Sequence, residues 1–170
     1  MFSFFKKKKD PFTVRIKEYE QPRFVAGMQT PTAKRSYRKD VSALQTSFNG
    51  KRDQLQNRTN PSGTMVIFSL PDSAGSFTYF VGDLVDTAQQ ADCFVVRELP
   101  AGKYAHIIDF KVPTDLPLKM AKAKKYFFHT WLPNSGYKML DGIESCELYD
   151  RRSKIALPSM ELIFPLQSKQ

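Results

Sequence analysis

The sequence is poor in the residues from which most catalytic and metal centres are built. Its 170 residues include two histidines, two cysteines and one tryptophan. Cys93 and Cys146 cannot make a disulfide framework or a four-ligand zinc site. His106 and His129 lie on different segments. No Gly-x-Ser-x-Gly, phosphate-binding glycine loop, His-Glu-x-x-His pair or dinucleotide fingerprint is present. No metal and no cofactor is therefore expected. No apolar run approaches the ~20 residues of a membrane helix. The N-terminus does not read as a secretory signal, because Phe2-Ser3-Phe4-Phe5 precedes four lysines and no apolar stretch follows them. These absences point to a soluble, cytoplasmic chain.

Aromatic residues, by contrast, are abundant. Fourteen Phe and seven Tyr bring the aromatic fraction to 13% within 41% hydrophobic residues, enough for a sizeable core. The length suits one domain, residues 12–170, behind a basic head of residues 1–11. The net charge is +9, unevenly placed: residues 31–60 carry seven basic and two acidic side chains, and residues 61–100 one basic and five acidic. Phosphate neutralisation would give a basic chain weak, salt-sensitive affinity for nucleic acid. No helix-turn-helix, zinc finger or single-strand-binding motif accompanies the charge, so sequence-specific nucleic-acid binding is not expected. The head sets apolar and basic residues side by side but is too short for stable membrane anchoring.

Residues 12–19 alternate apolar and polar as a half-buried strand does, and extended chain resumes at Phe24. Tyr37, Val41, Leu44 and Phe48 then fall on one helical face, with Asn49-Gly50 expected to end or kink the helix. Residues 65–70 and 77–82 read as a hairpin. The second half repeats this order. Strands at 92–99 and 103–110 precede a helix capped by Thr114 or Asp115. Its apolar face is Leu116, Met120, Ala123, Phe127 and Trp131, and Lys119, Lys122, Lys124 and Lys125 form the polar one. A final hairpin covers 144–150 and 157–166. Glu20-Gln21-Pro22 also echoes Glu98-Leu99-Pro100. The fold expected is α+β: two βαββ units, residues 12–83 and 92–166, join into antiparallel sheet covered by two helices. A cleft would lie near the pseudo-two-fold axis.

Within that frame Glu147 stands out, in Ser145-Cys146-Glu147-Leu148-Tyr149. The period of two puts Ser145, Glu147 and Tyr149 on one face and Cys146 and Leu148 on the other. Two readings are open: a solvated strand carboxylate, or a carboxylate held in an aromatic groove with a raised pKa and an appetite for cations. Rings around it would add ~0.5–2 kcal/mol each in cation–π attraction. Trp131 and Tyr137 are candidates for such a wall, although core packing is the commoner fate of a tryptophan.

Five segments stand in a familiar order: Glu98-Leu99-Pro100-Ala101-Gly102-Lys103-Tyr104-Ala105, Trp131-Leu132-Pro133-Asn134-Ser135-Gly136-Tyr137, Asp141-Gly142, Glu147-Leu148-Tyr149-Asp150, and Met160-Glu161-Leu162-Ile163-Phe164-Pro165-Leu166. This order resembles the GyrI-like small-molecule-binding family, which includes effector-binding domains of AraC- and MerR-type multidrug-sensing regulators. The resemblance implies a ligand cleft between duplicated halves, with Glu147 facing cationic, lipophilic ligands in an aromatic pocket. It also implies pocket roles for Trp131, Tyr137, Tyr104 and Tyr149. Because the chain begins almost directly with its first strand, no DNA-binding domain is expected, and so no one-component regulator. The resemblance leaves two alternatives to simple binding. One is hydrolysis of electrophilic, cyclopropane-containing compounds with Glu147 as the catalytic residue. The other is interaction with a protein partner, a regulator or DNA gyrase.

Overall fold

The alternating segments form strands and the three-to-four spacings form helices. The computed structural model describes residues 10–111, 116–154 and 159–169. In chain order they are β1 (Val14–Tyr19), β2 (Arg23–Ala33), α1 (Tyr37–Lys51), β3 (Thr64–Phe68), β4 (Ser76–Val85), β5 (Val95–Leu99), β6 (Gly102–Lys111), α2 (Leu116–Tyr126), β7 (Tyr137–Met139), β8 (Ser145–Tyr149) and β9 (Ser159–Ser168). Residues 1–9 of the basic head and the cap candidates Thr114 and Asp115 lie outside the described residues.

The strands make one antiparallel sheet in the order β1-β6-β9-β8-β3-β4-β2-β5, with β7 added on β9. The fold is α+β, two helices on a curled antiparallel sheet. The order carries an internal symmetry. Exchanging β1, β2, α1, β3, β4 for β5, β6, α2, β8, β9 turns it into itself read backwards. The two segments thus have the same strand order, with their exchange point between β3 and β8.

Each segment's first strand, however, pairs in the other segment's sheet: β1 on β6, and β5 on β2. The corners leading out of these strands interlock. The Tyr19 ring meets Tyr104 edge-on at 5.4 Å, and the Arg23 guanidinium lies 3.4 Å from the Tyr19 centroid and 5.0 Å from that of Tyr104. Edge-on rings with a stacked cation add attraction beyond their buried area.

Helix α1 ends at Lys51, one residue past Asn49-Gly50, and tightens there into a 3₁₀ turn, Arg52–Gln54. The reason is on the next residue. Arg52 Nε and Nη2 donate to the two carboxylate oxygens of the fully buried Asp83, both at 2.7 Å, which ties this end of the helix to β4. Val41, Leu44 and Phe48 pack with Val66, Tyr79 and Val81, while Ala123 and Phe127 pack with Ile107, Leu162 and Phe164. The opposite face of the sheet buries Val25, Met65, Ile67, Phe80, Leu99, Tyr104, Cys146 and Ile163.

Close approach of strands is needed where Gly27 faces Gly82. A Cβ at Gly27 would stand 1.9 Å from the Val81 carbonyl oxygen and 2.4 Å from the Gly82 Cα, both backbone atoms. Gly27→Ala is therefore expected to destabilise the fold by ~1–3 kcal/mol, the scale of forced overpacking. Urea unfolding checks this; a variant as stable as the wild type would mean the strands part at no cost.

Candidate functional site

Helix α1 packs on β2 and β4, and α2 on β6, so the two central strands β3 and β8 lie between them. Glu147 is the middle residue of β8. It stands opposite Val66 on one side and Leu162 on the other. Central pairing satisfies its backbone and turns the side chain toward the helices, as alternation requires. Cys146 and Leu148 go to the opposite face, where the Cys146 thiol is pushed up to about 12 by burial.

Glu147 is only 8% exposed and borders a cavity of about 380 Å³ whose lining comes from α1, β3, β4 and β8, with Arg52 at one end. Tyr37, Phe48, Tyr79 and Tyr149 supply its rings and Val41, Val66 and Val81 its aliphatic surface. Tyr149 Oη donates to Glu147 Oε2 at 2.8 Å, and Gln45 Nε2 donates to Tyr79 Oη at 2.9 Å. Among the described residues no Lys or Arg forms a salt bridge with Glu147. Burial raises its pKa, outweighing the Tyr149 hydrogen bond and the field of Lys124, while Glu144 adds to the rise. Burial, then the Glu147 charge, pushes the hydroxyls of Tyr37 and Tyr149 far above the usual phenol range. Tyr79 is raised to about 12, chiefly by burial.

Arg52 does not supply a free positive charge here. Its guanidinium is held by Asp83, and Thr64 Oγ1 accepts from Nη2 at 2.7 Å while donating to Asp83 Oδ1 at 2.8 Å. The cavity therefore presents neutral rings, an arginine paired to an aspartate that Arg58 also reaches at 3.6 Å, and one acid without a counter-ion among the described residues. Burying such an acid is costly, and an entering cation or a retained proton relieves the cost.

Of the five aromatic-pocket candidates, Glu147 and Tyr149 come together and the other three do not line this cavity. Their placement has local causes. The last turn of the second helix widens into a π turn, Phe127–Trp131, with Leu132 N–H donating to the Phe127 carbonyl at 2.8 Å. Trp131 is thereby stacked on Phe127 at 5.3 Å and on Tyr137 at 6.3 Å, and Phe127 in turn stacks on Phe164. Phe127 and Phe164 belong to the buried core under α2, and Trp131 and Tyr137 pack half-buried against it. Tyr104 alternates with Ala105, whose side faces α2, and so lies on the other face of the sheet with its hydroxyl donating to the Pro100 carbonyl at 2.6 Å.

Sequence reasoning missed Tyr37, Gln45, Tyr79 and the Arg52–Asp83 pair. An aspartate inside the apolar run Phe80-Val81-Gly82-Asp83-Leu84-Val85 was the available signal. It also missed Glu161, buried on the opposite face among His106 Nδ1 (2.6 Å), Arg152 Nη1 (2.6 Å) and Lys17 Nζ (3.4 Å). Lys124, expected on a solvated face, instead reaches Glu144 Oε2 at 3.0 Å and lies 4.5 Å from the Phe68 centroid.

Residues 15–165 match the family model of Cass2, the integron-associated effector binding protein. The chain belongs to the Cass2 family. As a Cass2 member it is a GyrI-like small-molecule-binding domain. Solved structures repeat the fold at low identity. SAV2435 bound to tetraphenylphosphonium superimposes with a TM-score of 0.68 at 15% identity, over 91% of this chain and 94% of that one. The EcmrR C-terminal domain gives 0.59 at 14%, over 94% and 99%. An integron cassette protein from the mobile metagenome of Vibrio cholerae gives 0.56 at 16%, over 91% and 95%. No curated protein matches the chain in sequence. Among the described residues this Cass2 chain has no helix long and apolar enough to cross a membrane, and no acidic, histidine or cysteine cluster that could hold a metal.

Proposed function

We propose that this Cass2 protein binds lipophilic aromatic cations in the cavity between α1 and the central strands, with Glu147 as counter-ion. The observation that carries the reading is a buried carboxylate, hydrogen-bonded to a phenol and to no basic group among the described residues, in a ring-lined cavity. A delocalised cation loses little hydration on entering, gains the carboxylate, and meets ring faces at Tyr37, Tyr79 and Tyr149. A cavity of this size falls in the range of small-molecule sites. The ligand bound by SAV2435 is of this chemical class. The free thiols of Cys93 and Cys146 fit a cytoplasmic setting.

The test is calorimetric titration with tetraphenylphosphonium beside triphenylmethanol, a neutral compound of similar shape. The cation is expected to bind at least tenfold more tightly, about 1.4 kcal/mol. Equal affinities would remove Glu147 from the account.

The Glu147–Tyr149 pair also favours a second reading. A carboxyl with a raised pKa, 2.8 Å from a phenol, suits general acid–base chemistry. In a hydrolase of strained electrophiles, Glu147 would take a proton from attacking water as the ring carbon–carbon bond breaks and pass that proton to the carbon left with the electron pair, adding one water overall. Mass spectrometry of cyclopropane-containing compounds before and after incubation separates the readings. A product heavier by one water, absent with Glu147→Gln, supports catalysis; unchanged compounds leave binding.

A further inference from the structure

We infer that the fold carries a second ligand site, for an aromatic anion, back to back with the Glu147 cavity. A separate cavity of about 440 Å³ lies against Phe68, Phe77, Pro71 and Gly75, with Lys34, Lys124 and Glu144 at its polar side. The two cavities share a wall of four rings. Tyr37 and Tyr79 face the first cavity, and Phe68 and Phe77 the second. Their centroids form a closed cycle: Tyr37–Tyr79 6.0 Å, Tyr79–Phe68 5.5 Å, Phe68–Phe77 6.2 Å and Phe77–Tyr37 6.1 Å. A wall so built offers aromatic surface to both sides.

The charges on the two sides are opposite. Glu144 Oε2 accepts from Lys124 Nζ at 3.0 Å and from Ser145 Oγ at 2.9 Å, so this acid and Lys124 cancel one another. Lys34 is exposed and has no acidic or hydrogen-bonding partner among the described residues. One positive charge is thus uncommitted beside the Phe68–Phe77 surface, where Glu147 leaves one negative charge uncommitted beyond the wall. The rim is built rather than loose. Asp72 Oδ1 accepts from the backbone N–H of Ala74 and of Ser76, both at 2.9 Å, fixing the turn that carries Pro71 and Gly75. An arene sulfonate or carboxylate matches this arrangement, its rings against Phe68 and Phe77 and its anion toward Lys34. Buried apolar surface supplies affinity, and the lysine supplies the choice of sign.

The inference does not rest on the reading of the Glu147 cavity, and its test is separate. Anilinonaphthalene sulfonate is titrated by fluorescence, beside neutral phenylnaphthylamine with the same rings. The sulfonate is expected to bind the wild type one-to-one and to stay bound when tetraphenylphosphonium is saturating. Lys34→Glu, an exposed position whose melting curve should match the wild type, is expected to weaken the sulfonate by about tenfold and to spare the neutral compound. Phe77→Ala should weaken both. A sulfonate affinity unchanged by Lys34→Glu, or displacement of the sulfonate by the phosphonium, would overturn the second site. Loss of phosphonium binding on Glu147→Gln bears only on the first.

Discussion

Glu147→Gln is expected to weaken tetraphenylphosphonium binding by about tenfold to a hundredfold, the loss of ~1.5–3 kcal/mol from a hydrogen-bonded charge. The same change should leave neutral triaryl ligands within about twofold, because the ring walls are untouched. The pH dependence has a definite sign. Glu147 titrates above the ordinary glutamate value of 4.5, chiefly because it is buried. A cation binds the ionised form, so affinity should rise with pH across that elevated pKa, and binding below it should release a proton to solvent. Glu147→Gln should abolish the dependence. Calorimetry in two buffers of different ionisation enthalpy measures the released proton directly.

The same residue should behave unusually in the ligand-free protein. Between 4.5 and its raised folded pKa, the native state holds a proton that the unfolded chain has released. Stability from this group is therefore largest at low pH and declines as pH rises through that window. Glutamine carries no such penalty. Glu147→Gln is expected to stabilise the empty protein at neutral pH by ~1–2 kcal/mol, roughly 3–6 °C in Tm. A buried substitution that raises stability while removing cation affinity is the signature of a site rather than of packing. Lower stability together with unchanged binding would make Glu147 a structural residue.

Glu161→Gln is expected to act in the opposite direction and more strongly. Glu161 is 3% exposed and receives Arg152 and His106 at 2.6 Å each, with Lys17 at 3.4 Å. Burial alone would raise its pKa, but the hydrogen bonds from His106 and Arg152 prevail and hold it at about 2. Burial keeps His106 toward its neutral form, which suits Nδ1–H donating to Glu161 and Nε2 accepting from Tyr19 Oη at 3.3 Å. Glutamine loses the charge-assisted bonds from His106 and Arg152, the latter keeping its Asp150 partner at 2.7 Å, a loss of ~1.5–3 kcal/mol. The linkage runs opposite to that of Glu147. A carboxylate held at about 2 against an ordinary 4.5 stabilises fully above 4.5 and loses its contribution as pH falls toward 2. Over that whole span the carboxylate contributes ~3 kcal/mol. Urea unfolding at pH values near neutrality and near 3 should show about 2 kcal/mol of that loss in the wild type and much less of it in Glu161→Gln. Equal acid losses in both proteins would place the acid sensitivity elsewhere.

Much of this molecule is decided by short-range pattern. Alternation along 145–149 assigns Glu147 and Tyr149 to one face and Cys146 to the other, because successive side chains of any strand point oppositely. The spacing of Tyr37, Val41, Leu44 and Phe48 likewise orients α1, and the repeated order of elements predicts equal strand orders in the two segments. Tertiary structure alone decided the rest. That β1 closes on β6 follows from how the sheet curls, not from the three residues linking β1 to β2. Trp131 and Tyr137 carry the aromatic character a pocket wall needs, yet a π turn stacks Trp131 on Phe127 with Tyr137 on its other side, both half-buried against the α2 core. Tyr37, Tyr79 and Glu147 surround one cavity from three elements far apart in the chain. Their meeting depends on strand order and register, which no local periodicity encodes. Burial of Glu147 is likewise collective: its raised pKa comes from the strands and helix that exclude water around it, so a strand carboxylate becomes a candidate cation site only when they assemble.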